Sequence, residues 1–309
     1  MNLKYCLSFD VGGTFIKYAV IDNEGKIHLK NKIKTPGFPC NETIPEAMLK
    51  VYKELQVNHK FDCIGISTAG QVNWKKGSVH YATDTLPNYT GTDFTEAIGN
   101  KLELPLFVDN DVNSAAIGEM WMGSAKDTKN FLCLTLGTGV GGAICVDGKI
   151  YRGENFSAGE VGHFAIVPNG DKCTCGLKGC YERYASTSAL IRMYTEEVSK
   201  KYGNNNEFTG EYIIDLYFKG DEIANKVYNE FLDNIAYGLA NLSHILDPGV
   251  IIVGGGISAQ GKPFFDEINM RFKKFALPAY AKNTVIKQAI LLNDAGVIGA
   301  AFNSFSLIK

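Results

Sequence analysis

Residues 131–150 read FLCLTLGTGVGGAICVDGKI: an apolar run, a turn built on Gly137, Gly139, Gly141 and Gly142, and a second apolar run. The same plan opens the chain, where residues 4–22 read KYCLSFDVGGTFIKYAVID. Short apolar runs of this kind predict buried strands, and the glycines between them predict tight antiparallel turns. Their recurrence predicts an internal duplication. Outward from the first copy come a third strand (IHLKNKIK, 27–34), a helix (IPEAMLKVYKELQ, 44–56) and a buried strand (FDCIGIS, 61–67). A strand LPLFVDN (104–110) then runs into DVNSAAIGEMW (111–121), whose apolar residues have helical spacing, so Asp109, Asn110 and Asp111 sit at a strand end. Beyond the second copy the pattern is mainly helical, with FLDNIAYGLANLSHIL (231–246) stopped at Asp247-Pro248, before VIIVGGG (250–256) returns to strand. The expected organisation is two α/β domains with mixed sheets flanked by helices. They span residues 1–117 and 118–293, and a C-terminal helix, 294–309, packs back on the first.

With 309 residues, 45% apolar and 21% charged, the chain is rich enough in apolar residues to exclude intrinsic disorder. Its 31 basic and 33 acidic residues, mixed along the chain, exclude an electrostatic grip on nucleic acid or anionic lipid and predict a small-molecule partner. No apolar run approaches the roughly 18 residues of a membrane span, so a cytoplasmic protein is expected. Five of the eight cysteines are scattered, most of them in strand-like runs where reduced thiols pack well.

The glycines, 33 in all, point to backbone that must approach something closely. In Asp10-Val11-Gly12-Gly13-Thr14 two glycines let backbone N–H groups close around phosphate oxygens, and a carboxylate at the strand end can hold magnesium. Gly137-Thr138-Gly139-Val140-Gly141-Gly142 repeats that chemistry, and Gly254-Gly255-Gly256 leaves room for a flat adenine or ribose. No P-loop of the G-x-x-x-x-G-K-[ST] type occurs at these turns, which argues against the commonest NTPase fold. The remaining three cysteines belong to a metal-like spacing: His163, nine residues, Cys173-Thr174-Cys175, four residues, Cys180. One imidazole and three thiolates make a closed tetrahedral set, the usual composition of structural zinc. Glu160 and Glu182 lie three and two residues from zinc ligands, so the metal would fix both in space, where carboxylates are good acceptors for sugar hydroxyls.

This set of motifs resembles the ROK family of repressors and sugar kinases along the whole chain. DVGGT resembles its first phosphate motif, DNDVNSAAIGE its catalytic helix, GTGVGGA its second phosphate motif, and GEVGH with CTCGLKGCYE its zinc and sugar signature. The resemblance implies the two-domain actin, hexokinase and Hsp70 ATPase fold, hinged over nucleotide and sugar. It further implies Asp111 as general base, with Gly70, Asn110, Glu160, His163 and Glu182 on the sugar. Gly12, Gly13, Thr14, Lys17, Gly137, Thr138, Gly139, Gly141 and Gly254–Gly256 would serve ATP, with Asp10 at the magnesium. A homodimer is implied as well. The implied activity is transfer of a phosphoryl group to the 6-hydroxyl of a hexose or N-acylhexosamine. STAGQVN (67–73) and PNYTGT (87–92) resemble N-acetylmannosamine kinases more than typical glucokinases. Alternatives are a fructose or β-glucoside kinase and a non-catalytic sugar sensor, although the short stretch ahead of Asp10 predicts no DNA-reading head.

Overall fold

The computed structural model describes residues 3–203 and 207–308. Residues 1–2, 204–206 and 309 of the expected domains lie outside the described residues. The chain divides into two compact units, one drawn from residues up to Thr128, Lys149–Ala158 and Ile290 onward, the other from Lys129–Gly148 and Gly159–Ala289. The sequence reading placed its boundary near residue 118, at the end of an apolar helix. The first unit instead continues to Thr128 because Glu119 caps the next loop, accepting Ser124 N at 2.7 Å and Leu291 N at 2.8 Å.

In the first unit, β1 (Tyr5–Val11), β2 (Phe15–Asp22) and β3 (Ile27–Lys34) form an antiparallel meander, followed by α1 (Cys40–Leu55) and β4 (Cys63–Thr68). A small hairpin of β5 (Gln71–Asn73) and β6 (Ser78–Tyr81) precedes β7 (Leu106–Asn110) and α2 (Asp111–Met122). The sheet order is β3-β2-β1-β4-β7, with β4 parallel to both β1 and β7. Helix α1 starts four residues before the predicted isoleucine, with Pro45 inside it. Edge strand β3 alternates half-buried and exposed residues and carries Lys30, Lys32 and Lys34, which blunt the free edge. The sheet is apolar on both faces. Leu7, Phe9, Ile16, Ile66 and Val108 share one core with Ile44 and Met48 of α1. Cys6, Ala19, Ile21 and Cys63 meet Val297, Ile298 and Ala301 on the other face.

The second unit begins with β8 (Phe131–Leu136) and β9 (Val140–Val146); β10 (Lys149–Tyr151) then belongs to the first. Helices α3 (Glu182–Ala185), α4 (Thr187–Tyr202), α5 (Gly210–Phe218) and α6 (Glu222–Leu246) precede β11 (Val250–Gly254), α7 (Lys262–Phe275), α8 (Pro278–Asn283) and β12 (Val285–Gln288). The order β9-β8-β11-β12 repeats β2-β1-β4-β7, with the same antiparallel and parallel pairings. The predicted duplication is therefore a duplication of sheet topology. Helix α6 is capped by Asp221, which accepts Ala224 N at 2.8 Å, and ends at a left-handed Asp247. Its stripe Val227, Phe231, Ile235 and Leu239 is the core of this unit. Helix α9 (Ala295–Phe305) returns to the first unit and gives way to a 3₁₀ turn over Ser306–Ile308, shorter than the span expected. No helix among the described residues is long and apolar enough to cross a membrane.

Candidate active site

The candidate residues of the first unit gather at the ends of three adjacent strands. Asp10, near the end of β1, accepts Lys17 Nζ at 3.1 Å and Ser67 Oγ at 2.8 Å. The glycine turn is closed by Gly12 N donating to Phe15 O at 3.1 Å, and Thr35 secures it by donating Oγ1 to Gly12 O at 2.7 Å and N to Thr14 O at 3.0 Å. Gly70 has φ +96°, and a Cβ there would stand 2.6 Å from Tyr81 O, so glycine is required.

Asn110 ends β7 in an extended conformation and caps α2: its Oδ1 accepts Val112 N at 2.9 Å and Asn113 N at 3.1 Å. Its Nδ2 donates to Gly70 O at 3.0 Å and to Asp111 Oδ1 at 2.8 Å. The amide thus divides its hydrogen bonds among the start of α2, Gly70 and Asp111, and for its Nδ2 to hold a hydroxyl it would have to exchange one of them. Asp111 is the first residue of α2. Burial first, and the Asp10 carboxylate second, push its pKa up to about 6, against hydrogen bonds from Val112 N and Asn110 that favour the charged form. A carboxylate tuned in this way can take a proton near neutral pH.

In the second unit the four predicted zinc ligands come together, their donor atoms all within 4.8 Å of one another. His163 Nδ1 is 3.7 Å from Cys173 Sγ, and Cys175 Sγ is 3.6 Å from Cys180 Sγ. Tetrahedral zinc with bonds of about 2.3 Å to sulfur sets ligand atoms about 3.8 Å apart, so the set fits that ion. Left-handed Gly179, whose Cβ would fall 1.8 Å from Val167 O, lets the loop double back. Glu182 lies beside the cluster, with Oε1 3.0 Å from Cys173 Sγ and 3.7 Å from His163 Nδ1. Its other oxygen would be 2.8 Å from a Cβ at Gly139, which places the second glycine turn against the same carboxylate. That turn is closed by Gly137 N on Gly139 O at 3.0 Å, and Gly137 O accepts Thr187 N at 2.8 Å. Gly255, with φ +87°, packs against Leu136, so the third glycine motif meets the second at the end of β8. Glu160 is exposed and heads the 3₁₀ turn that carries His163, its carbonyl accepting His163 N at 3.1 Å.

Sequence reasoning missed Thr35, Ser67 and two anchors. Tyr181, fully buried between Cys180 and Glu182, donates its hydroxyl to Ile235 O at 2.9 Å. Its ring fills the place where a Cβ at Gly238 would stand 2.2 Å away, so a glycine inside an otherwise strong helix was the available signal. Arg152 clamps the buried Asp109 with its Nη2 at 2.6 Å, and no pattern in the sequence joins the two.

A model of the ROK family matches residues 6–303. The chain belongs to the ROK family. A glucokinase of Streptomyces coelicolor is 34% identical over 96% of both chains. The ROK glucokinase of Streptomyces griseus, solved with glucose and AMPPNP, is 31% identical, with a TM-score of 0.82 over 98% of this chain and 99% of that one. A Listeria monocytogenes protein proposed to be an N-acetylmannosamine kinase is 29% identical, with a TM-score of 0.84 over 99% of this chain and 100% of that one. The ROK neighbours share the actin-like ATPase fold expected from the sequence, and this chain has it.

Proposed function

We infer that this ROK protein is an ATP-dependent sugar kinase acting on the 6-hydroxyl of a hexose or N-acylhexosamine, with Asp111 as general base. One observation carries the assignment of the base: a carboxylate raised to about 6 heads α2, beside the Asp10 of the first phosphate turn. The full-length likeness to glucokinases supports the reaction and puts glucose ahead of N-acetylmannosamine as substrate. Asp111 takes the hydroxyl proton while the sugar oxygen bonds to the γ-phosphorus. The bond from that phosphorus to the β,γ-bridging oxygen breaks, and ADP leaves. Such a transition state is loose and rich in charge, so positioning and electrostatics dominate and the base supplies roughly 10²- to 10⁴-fold.

Gly12, Gly13, Thr14, Lys17, Gly137, Thr138, Gly139 and Gly141 would hold phosphates, and Gly254–Gly256 the nucleoside. Asp10 would hold magnesium, which neutralises phosphate charge when bound. Glu160, His163 and Glu182 would take the sugar's hydroxyls. His163 turns Nδ1 towards the thiols, which leaves Nε2 for the sugar. His163, Cys173, Cys175 and Cys180 would hold a structural zinc, which would order these residues and, with all four positions taken by protein, would supply no Lewis acid. Three thiol ligands fit a reducing, cytoplasmic setting. The apolar side chains Ile245 and Leu277, 76% and 59% exposed near the end of α6 and the start of α8, support a homodimer, which sedimentation velocity tests.

The deciding experiment is ADP release from ATP and magnesium with glucose, mannose, fructose, N-acetylglucosamine, N-acetylmannosamine and cellobiose. One sugar should be clearly preferred, and Asp111→Asn should lose turnover by at least about 10²-fold while staying folded. Near-parental turnover in Asp111→Asn would remove Asp111 as the base.

A further inference from the structure

The residue ahead of the Asn110-Asp111 pair is the most heavily bonded carboxylate around α2. Asp109 is 1% exposed, and Arg152 grips it through Nε, 3.2 Å from Oδ1 and 3.1 Å from Oδ2, and through Nη2, 2.6 Å from Oδ2. Asn113 Nδ2 donates to Oδ1 at 3.2 Å and Asn303 Nδ2 to Oδ2 at 3.2 Å. The same Oδ1 accepts the backbone N–H of Asn110 at 2.9 Å. The guanidinium lies 5.1 Å from the Trp74 ring centre and 5.8 Å from that of Phe107. It is therefore fixed in plane as well as in charge.

A buried ion pair is a poor source of stability, because desolvating both charges offsets most of their attraction. It is a good source of geometry when the fork is bidentate. Here the geometry passes to the candidate base in two steps. Arg152 fixes the Asp109 carboxylate, which holds the Asn110 peptide. Asn110 then caps α2 and bonds Asp111 Oδ1. We propose that Arg152 is a positioning residue for phosphoryl transfer, holding the Asn110 peptide through Asp109 and so aiming the carboxylate of Asp111 at the sugar hydroxyl.

The inference rests on the kinase reading, whose failure would show as absent sugar-dependent ADP release in the parent protein. The test uses Arg152→Lys, which keeps the charge and loses the fork, and Arg152→Ala. For Arg152→Lys, kcat should fall roughly 10- to 100-fold, as small misplacements of reacting groups do. The KM values for sugar and ATP should move by less than about threefold, because only the step itself is disturbed. Millimolar guanidinium should restore part of kcat to Arg152→Ala, and tetramethylammonium at the same ionic strength should not. The proposal is overturned if folded Arg152→Lys keeps the parental kcat with only a lower melting temperature. It is equally overturned if the loss appears in the sugar's KM at unchanged kcat. Should Arg152→Ala fail to fold, the lysine variant decides alone.

Discussion

At the scale of single residues, the carboxylate of Asp111 carries a conflict between stability and chemistry. Its folded pKa of about 6, set mainly by burial and then by Asp10, lies above the ~3.9 of an unfolded aspartate. The folded state therefore binds more protons between those values, and stability falls as pH rises through that window. Above pH 6 the charged form costs an upper limit of about 3 kcal/mol, at ~1.4 kcal/mol for each pH unit. Asp111→Asn keeps an oxygen for Val112 N and has no charge to bury, so it should melt higher than the parent at pH 7.5. The gap should shrink towards pH 4.5. In the parent, kcat/KM should rise with pH along an acid limb centred near 6, because only the ionised carboxylate accepts a proton. Thermal melts at the two pH values and a pH–rate profile check both. An acid limb near 4 would mean that the carboxyl is not desolvated, and equal melting temperatures at pH 7.5 would mean that its charge is not strained.

At the scale of elements, the loop from His163 to Glu182 contains little regular structure, yet it presents five of the residues assigned to sugar and metal, His163, Cys173, Cys175, Cys180 and Glu182. Its order comes from the Cys₃His set on one side and from Tyr181, seated against Gly238, on the other. Helix α6 and strands β8 and β11 form a continuous apolar core that needs no metal. Removing zinc from reduced protein should therefore release amide-exchange protection over residues 163–180 and raise the sugar's KM, while α6 stays protected. Elemental analysis should first find about one zinc per chain, the number a single four-ligand site takes. Unchanged protection in the loop after chelation would show that Tyr181 and the glycine turns order it alone.

At the scale of the whole molecule, the glycine turns and the recurring strand pairs were legible because they are local, and a short window of sequence holds the turn and both its strands. The zinc set was legible for the same reason, with all four ligands within 18 consecutive residues. What escaped were partners far apart in the chain: Arg152 with Asp109, Tyr181 with Gly238, and Glu119 with Leu291. Each is a pairing of one polar or aromatic group with a site dozens of residues away, for which periodicity has no signal.

The return of the last helix is also a long-range pairing, one that the sequence reading expects, and it yields a test. Helix α9 lies so close to α2 that a Cβ at Gly299 would stand 1.7 Å from Ser114 O and 2.8 Å from Gly118 N, both backbone atoms that cannot rotate away. In an isolated helix Gly299→Ala would gain about 1 kcal/mol of propensity. Forced overlap in a packed interior costs about 1–3 kcal/mol, and more where backbone must move, so the loss should win. The first unit should melt several degrees lower, with kcat/KM falling as its strand ends shift. The zinc content, which belongs to the second unit, should stay at the parental value. A melting temperature raised by the substitution would mean that α9 does not approach α2 this closely, and loss of zinc would mean that the two units do not fold as separate cores.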